Sequence, residues 1–230
     1  MFQKNILLIT ALFLIMAGVL VAQTDDCIPP DEPGCTGWSP WYNRTWTLTE
    51  PICEISIQYR RRTCGGEYDV QYRNVVVSDN CGLMQDFNHE EFSFSAINEL
   101  IDILLIEDHE NAGGITDCSQ GTNNIRKFYS ANCGIWLYCE YDIVPQVPTC
   151  EQGYDGVPEA GPTTVKTWKW QSCGETCCVR TYTVCKTTVP ETGANRIVIS
   201  NLTREKVGSC TDEPAPGGNG KYARPCKDGC

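Results

Sequence analysis

Trp38-Ser-Pro-Trp41 and, after it, Cys53-Glu-Ile-Ser-Ile-Gln-Tyr-Arg60-Arg61-Arg62-Thr-Cys64 decide how the first part of this chain is built. Side chains two apart on a strand share a face. Arg60 and Arg62 therefore point one way, and Tyr59 and Arg61 the other. A guanidinium plane stacks on an indole face, and Trp is its best partner. Two Trp on one extended segment and two Arg on the next can interleave as a ladder that replaces a hydrophobic core in a thin, disulfide-pinned sheet. On this reading Arg60 and Arg62 are structural and only Arg61 is free.

The same residues resemble a thrombospondin type-1 repeat, which opens on W-x-x-W and continues into a strand with R-x-R between two cysteines. Trp38 and Trp41 match the paired tryptophans, and Cys53, Arg60, Arg62 and Cys64 match the strand. The C-x-x-x-C-G-x-G run of that family is missing here, and position 44 is Arg, with the next Trp at Trp46. The resemblance spans Cys35 to Cys81. It implies a layered Trp–Arg module and a role in extracellular adhesion, with Trp38, Trp41, Arg60, Arg61 and Arg62 as candidate binding residues.

Working outward, the N-terminus reads as an export signal over residues 1–22. Lys4 precedes an apolar run from Ile6 to Val21, and small residues stand at Ala17, Gly18 and Ala22. The run is short for a membrane span, so no membrane insertion is expected after cleavage. All sixteen cysteines follow it: Cys27, Cys35, Cys53, Cys64, Cys81, Cys118, Cys133, Cys139, Cys150, Cys173, Cys177, Cys178, Cys185, Cys210, Cys226 and Cys230. An even count in an exported chain implies disulfides and an oxidising compartment, extracellular or periplasmic. Adjacent Cys177 and Cys178 face opposite sides of a strand, so each is expected to bond a different partner and tie two layers together. Asn43-Arg-Thr45 and Asn201-Leu-Thr203 are glycosylation sequons, used in a eukaryotic source. The formal net charge of −11 argues against nucleic acid and anionic membrane as partners.

Four segments are expected: the signal 1–22; a Trp/Arg/Cys β module over 23–85; a helix-plus-strand segment over 86–150; and a second Cys-rich β module with a pinned tail over 151–230. In the first module, Gly65-Gly66 predicts a hairpin leading from the Arg strand into Tyr68–Val77. The helix is expected over Ser93–Asp108, because Ile97, Leu100, Ile101, Leu104 and Leu105 form one apolar stripe. Glu99, Asp102, Glu107 and Asp108 fall on its other face, which reads as solvated or, alternatively, as a site for a cation or basic partner. Ile125–Tyr141 reads as strand, and 151–162 as a Pro/Gly-rich linker or long loop. Trp168, Trp170, Cys173, Cys177 and Arg180 form a weaker echo of the first cluster. Thr181–Thr188 and Asn195–Asn201 read as a hairpin turned by Pro190-Glu-Thr-Gly193.

The residues select no catalytic constellation and no cofactor. His89-Glu-Glu-Phe-Ser lacks the second His of a zincin helix. Asp108-His-Glu110 lacks the alternating oxygen ligands of a calcium loop. No nucleophile elbow or phosphate loop occurs. No metal site is expected. The chain reads as a mainly β, disulfide-rich protein with one amphipathic α-helix and small stapled antiparallel sheets. It is expected to be secreted, to have no enzymatic activity and to recognise an extracellular protein or glycan. Its oligomeric state is not readable. Two other classes fit the residues: a disulfide-framed protease inhibitor presenting Lys221-Tyr222 in the loop 211–225, and a small secreted hydrolase.

Overall fold

The computed structural model describes residues 27–50, 52–82, 94–111, 114–120, 124–131, 133–142, 149–152, 164–172, 176–208, 227–228 and 230. The expected signal, His89, Ser93 at the start of the expected helix, the loop 211–225 and Cys173, Cys210 and Cys226 lie outside them. The described part is mainly β and disulfide-rich, with one α-helix. The strands are β1 (Tyr42–Thr49), β2 (Ile52–Cys64), β3 (Glu67–Ser78), β4 (Asn124–Ala131), β5 (Cys133–Asp142), β6 (Thr149–Gln152), β7 (Thr164–Ser172), β8 (Cys177–Thr188), β9 (Asn195–Val207) and β10 (Lys227–Asp228). The helix α1 is Phe94–Asn111. Instead of small separate sheets, all ten strands join one sheet, and strands from all three segments after the signal hydrogen-bond within it.

β3 organises the sheet. Gly65 and Gly66 sit at φ 55° and 94°, the two positive angles a tight hairpin needs, and they fold β3 back onto β2. The opposite edge of β3 is shared. Its first half, Tyr68–Gln71, pairs in parallel with Arg126–Tyr129 of β4, and its last residues, Val76–Ser78, pair antiparallel with Thr167–Lys169 of β7. Between the halves, Asn74 takes φ 53° and forms a bulge opposite Ile57. The extra residue increases local twist, which suits the point where the sheet forks. One branch runs β4–β8–β9 and the other β7–β5, with β6 and β10 on the far edge of β5. The stretch Ile125–Tyr141, expected to be strand, forms two strands that lie in different branches.

Alternation assigns the two faces. Ile55 and Ile57 of β2, Val70 and Tyr72 of β3, Phe128 of β4 and Val184 of β8 all turn toward α1 and are buried there. Trp46, Trp136, Trp168 and Trp170 extend the same core, with Trp136 and Trp170 edge to face at 5.4 Å. Trp168 and Trp170 lie on β7, while Arg180 lies on β8, and these strands are not neighbours. The second Trp–Arg cluster is thus not a second copy of the first.

The apolar stripe of α1 packs as its spacing predicts. Ile97 and Ile101 are wholly buried, and Leu104 and Leu105 nearly so. The buried arc is wider than the stripe and includes Asn98, Asp102 and Ile106. Asp102, expected on the solvated face, is 0% exposed. It accepts hydrogen bonds from Arg180 (Nε–Oδ2 2.6 Å and Nη2–Oδ1 3.1 Å) and from the Tyr182 hydroxyl (2.9 Å). Arg180 also donates to Ser130 Oγ at 3.0 Å and to the Tyr72 hydroxyl, and Tyr72 donates to Asn98 Oδ1 at 2.8 Å. Burial pushes the Asp102 carboxyl up, against the pull of Arg180. At Arg180 burial acts downward, but the adjacent carboxylate outweighs it and holds the guanidinium above its ordinary value. Both Arg180–Asp102 hydrogen bonds are charge-assisted and parallel, which favours the ionised pair. Of the other acids on that face, Glu99 pairs with Arg204, Asp108 with Arg44, and Glu107 is exposed.

Five disulfides staple the described residues: Cys27–Cys177, Cys35–Cys64, Cys53–Cys81, Cys118–Cys185 and Cys178–Cys230. Cys133 is also disulfide-bonded. Cys177 and Cys178 take different partners on opposite faces, as the strand geometry required.

Candidate functional site

The N-terminal segment runs along the edge of β2 that β1 leaves open. Thr36 N donates to Thr63 O (2.8 Å) and Ser39 N to Arg61 O (2.9 Å). In return, Thr63 N donates to Thr36 Oγ1 and Arg61 N to Ser39 Oγ, each at 3.0 Å. Two side-chain oxygens thus do what backbone carbonyls do in a regular ladder. The Cys35–Cys64 disulfide pins the start of the segment. This places Trp38 and Trp41 over the face of the sheet opposite α1.

There the rings and guanidiniums alternate. Arg62 Cζ lies 4.5 Å from the Trp38 ring centre, Arg60 Cζ lies 5.0 Å from Trp38 and 4.7 Å from Trp41, and Arg73 Cζ lies 4.0 Å from Trp41. The order is Arg62–Trp38–Arg60–Trp41–Arg73. The side chains of β3 between them anchor the guanidiniums from below: Arg60 Nε donates to Gln71 Oε1 (2.6 Å) and Arg62 Nε to Asp69 Oδ2 (3.0 Å). Arg62 Nη2 also donates to Pro30 O at 3.0 Å, and Gln71 Nε2 donates to Cys27 O. Arg62 is 4% exposed. Burial raises the Asp69 carboxyl above its ordinary pKa, opposed by Arg62, and burial pushes the nearby Tyr129 hydroxyl up to about 12. Trp38 meets the Tyr129 ring edge on at 6.3 Å.

The structure therefore brings four of the five candidate residues together and separates the fifth. Trp38, Trp41, Arg60 and Arg62 hold two layers against each other. Arg61 lies exposed on the opposite face, in a different cluster. Its Cζ is 5.9 Å from the Tyr42 ring, and its Nη1 donates to the Tyr68 hydroxyl at 3.2 Å. That hydrogen bond holds the Arg61 guanidinium above its usual pKa. Tyr42 packs on its strand partner Tyr59 at 5.6 Å and is 41% exposed. Tyr68 stacks on His109, rings 4.2 Å apart and 14° from parallel, and the Arg126 guanidinium lies 5.2 Å from the Tyr68 ring centre.

The end of α1 supports this cluster from below. Asp108 takes two hydrogen bonds from Arg44, each 2.7 Å, and one from Trp46 Nε1 at 3.1 Å. Arg126 Nη2 donates to Gly114 O at 2.9 Å, and Gly114 N donates to His109 O at 2.9 Å, closing the helix end. Burial, then the charges of Arg126 and Arg61, lower the His109 pKa to about 4, so the imidazole is neutral at physiological pH. Glu110 pairs with Lys186 at 3.3 Å. Asp108, His109 and Glu110 thus each serve a different neighbour and do not converge on one point. Among the described residues, the one group with metal-ligand spacing is Cys35, Cys64 and Asp69, and its two sulfurs are joined in a disulfide.

The sequence reading missed Arg73, Tyr42, Tyr59, Tyr68 and His109. Period two along β3 places Asp69, Gln71 and Arg73 on one face, which is the signal for Arg73. The tyrosines carry no such signal, because they converge through strand register and the helix end. Chemically, the cluster offers planar rings and an exposed guanidinium, which suit stacking and hydrogen bonding. The two sequons lie on exposed positions, Asn43 in β1 with its Oδ1 accepting from Gln58 Nε2 at 3.1 Å, and Asn201 in β9. Comparison with protein-family models, curated proteins and solved structures finds no match for this chain.

Proposed function

We propose that this is a secreted, disulfide-rich recognition protein without enzymatic activity, and that it binds an extracellular protein or glycan through Tyr42, Tyr59, Arg61 and Tyr68. The carrying observation is the exposed guanidinium of Arg61 set among three tyrosine rings that are fixed from beneath. Tyrosine and arginine dominate the centres of recognition surfaces, because they bring large contact area and several donors at low conformational cost. Rings ordered before binding lower the entropic cost of holding a ligand. The disulfide framework suits an oxidising compartment. The Trp–Arg ladder supports the likeness of Cys35–Cys81 to a thrombospondin type-1 repeat, here built into a larger sheet. The ladder's role is then to hold β2 flat and rigid so that Arg61 and Tyr59 are presented on its other face.

A glycan array and a pull-down from extracellular matrix, each run with the native protein, Tyr42→Ala and Arg61→Ala, test the proposal. Binding that drops at least tenfold in both variants, with melting temperatures unchanged, is the expected result. Ligand capture that both variants retain at full strength would place the binding surface elsewhere.

A further inference from the structure

β9 is a long strand at the end of one branch. It spans Asn195–Val207, 13 residues, and β8 is its one strand neighbour among the described residues, while near its end Cys230 Sγ lies 3.8 Å from Glu205 O. Every residue in it is exposed except Ile197 and Ile199, which are half-buried toward the core. Val198, Leu202 and Val207 are 37%, 39% and 50% exposed. An edge of this length with apolar side chains is a template for pairing with another chain. Proteins blunt such edges with charges, prolines, bulges or a covering group. β9 contains no proline, and its charges, Arg196, Arg204, Glu205 and Lys206, stand toward its two ends and leave Ile197–Thr203 uncharged. It does contain a bulge: Asn201 sits at φ 52°, where Asn201 and Leu202 together oppose Tyr182. Asn tolerates the left-handed region better than most residues. The bulge bends the strand, but Val198 and Val207 remain exposed on either side of it.

Asn201 is also the acceptor of a sequon, Asn201-Leu-Thr203. Its side chain is exposed and makes no hydrogen bond among the described residues. We infer that Asn201 carries an N-linked glycan whose role is to cover the open edge of β9 and keep the protein from associating through it. The inference rests on the exported location proposed above. The donor is a lipid-pyrophosphate-linked oligosaccharide. A bond forms between Asn201 Nδ2 and the anomeric carbon, the anomeric carbon–oxygen bond to the pyrophosphate breaks, and the amide nitrogen gives up one proton. The attached sugar is bulky and solvated, and it stands at the middle of the strand. A second strand approaching that edge would have to displace it.

The test uses the full chain expressed in eukaryotic secretory cells. Peptide mass spectrometry should find a glycan on Asn201, and light scattering should find a monomer. Thr203→Val keeps Asn201 in its bulge and a β-branched residue in the strand, but removes the acceptor motif. It should self-associate in proportion to concentration, and so should the native protein after enzymatic deglycosylation. Adding Val198→Lys to Thr203→Val should restore the monomer, because a charge then stands within the uncharged stretch Ile197–Thr203. Asn43→Gln should leave the association state unchanged. Secreted, oxidised protein without a glycan on Asn201 overturns the inference and leaves the proposed location standing. Protein that never enters the secretory pathway overturns both. A glycan-free protein that stays monomeric at all concentrations overturns the shielding role.

Discussion

At the scale of single residues, three adjacent arginines illustrate how a sheet divides identical side chains between tasks. Arg60 lies between two indole planes, and Arg61 next to it faces away from both. Lysine brings the charge but no planar face. Each stack contributes roughly 0.5–2 kcal/mol depending on desolvation. Arg60→Lys should therefore lower the unfolding free energy by an amount in that range, with a lower denaturation midpoint, and Arg61→Lys should leave both unchanged. Equal midpoints for the two variants would show that the ladder does not bear on stability. Arg180 and Asp102 give a different kind of test, because both are buried. Removing one partner leaves an unpaired charge in the core, which costs about 3–5 kcal/mol. Asp102→Leu and Arg180→Met should each show that loss, and the double variant should lose less than the two singles combined. Strict additivity in a double-mutant cycle would mean the two groups are not coupled.

At the scale of elements, the ladder and the helix stripe were legible for the same reason: both are local periodicities. W-x-x-W and R-x-R each fix a spacing, and the stripe from Ile97 to Leu105 fixes a helix face. Asp102 was not legible. Amphipathic reasoning sends a carboxylate outward, and its partner is 78 residues away on β8. The fork at β3 was hidden for a similar reason, since both neighbours on that edge come from later in the chain and neither announces its register. The end of α1 joins the legible and the hidden parts, and it carries a pH dependence. The His109 pKa is lowered to about 4 in the folded protein against an ordinary 6.5. Between those values the unfolded chain binds a proton that the folded one refuses. The His109 contribution is therefore complete above about pH 6.5 and is lost as pH falls toward 4. Burial raises the pKa values of Asp69 and Asp102, and they act in the opposite sense. The useful quantity is thus the difference between native protein and His109→Gln. That difference in unfolding free energy should shrink steadily from pH 7 to pH 4.5 in urea titrations. A constant difference would place His109 in water instead of under Tyr68.

At the scale of the whole molecule, a sheet whose centre is β3 but whose branches end far apart in sequence needs ties between distant parts of the chain. Cys27–Cys177 is the longest of these, with a sequence separation of 150. It joins the lead-in to the Trp–Arg face with the start of β8, beside Tyr129 and Trp38. In the chain-entropy account, closing a loop of that length in an otherwise open chain contributes about 5 kcal/mol. The unfolded chain here is not open, because Cys35–Cys64, Cys53–Cys81 and Cys118–Cys185 already shorten the path between the two sulfurs. The shortest route through those bridges is roughly 65 residues, which lowers the contribution to about 4 kcal/mol. Cys53–Cys81 has a sequence separation of 28, and its two ends are joined by the regular β2–β3 hairpin. The same relation gives it about 3.5 kcal/mol in an otherwise open chain. The paired substitution Cys27→Ser with Cys177→Ser should therefore destabilise the protein more than Cys53→Ser with Cys81→Ser. The first pair should also loosen Trp38, since the lead-in segment loses its covalent tie. Unfolding titrations followed by tryptophan fluorescence would read both effects. An equal or smaller loss for the Cys27–Cys177 pair would mean that the sheet closes without it, and that the ladder alone holds the lead-in in place.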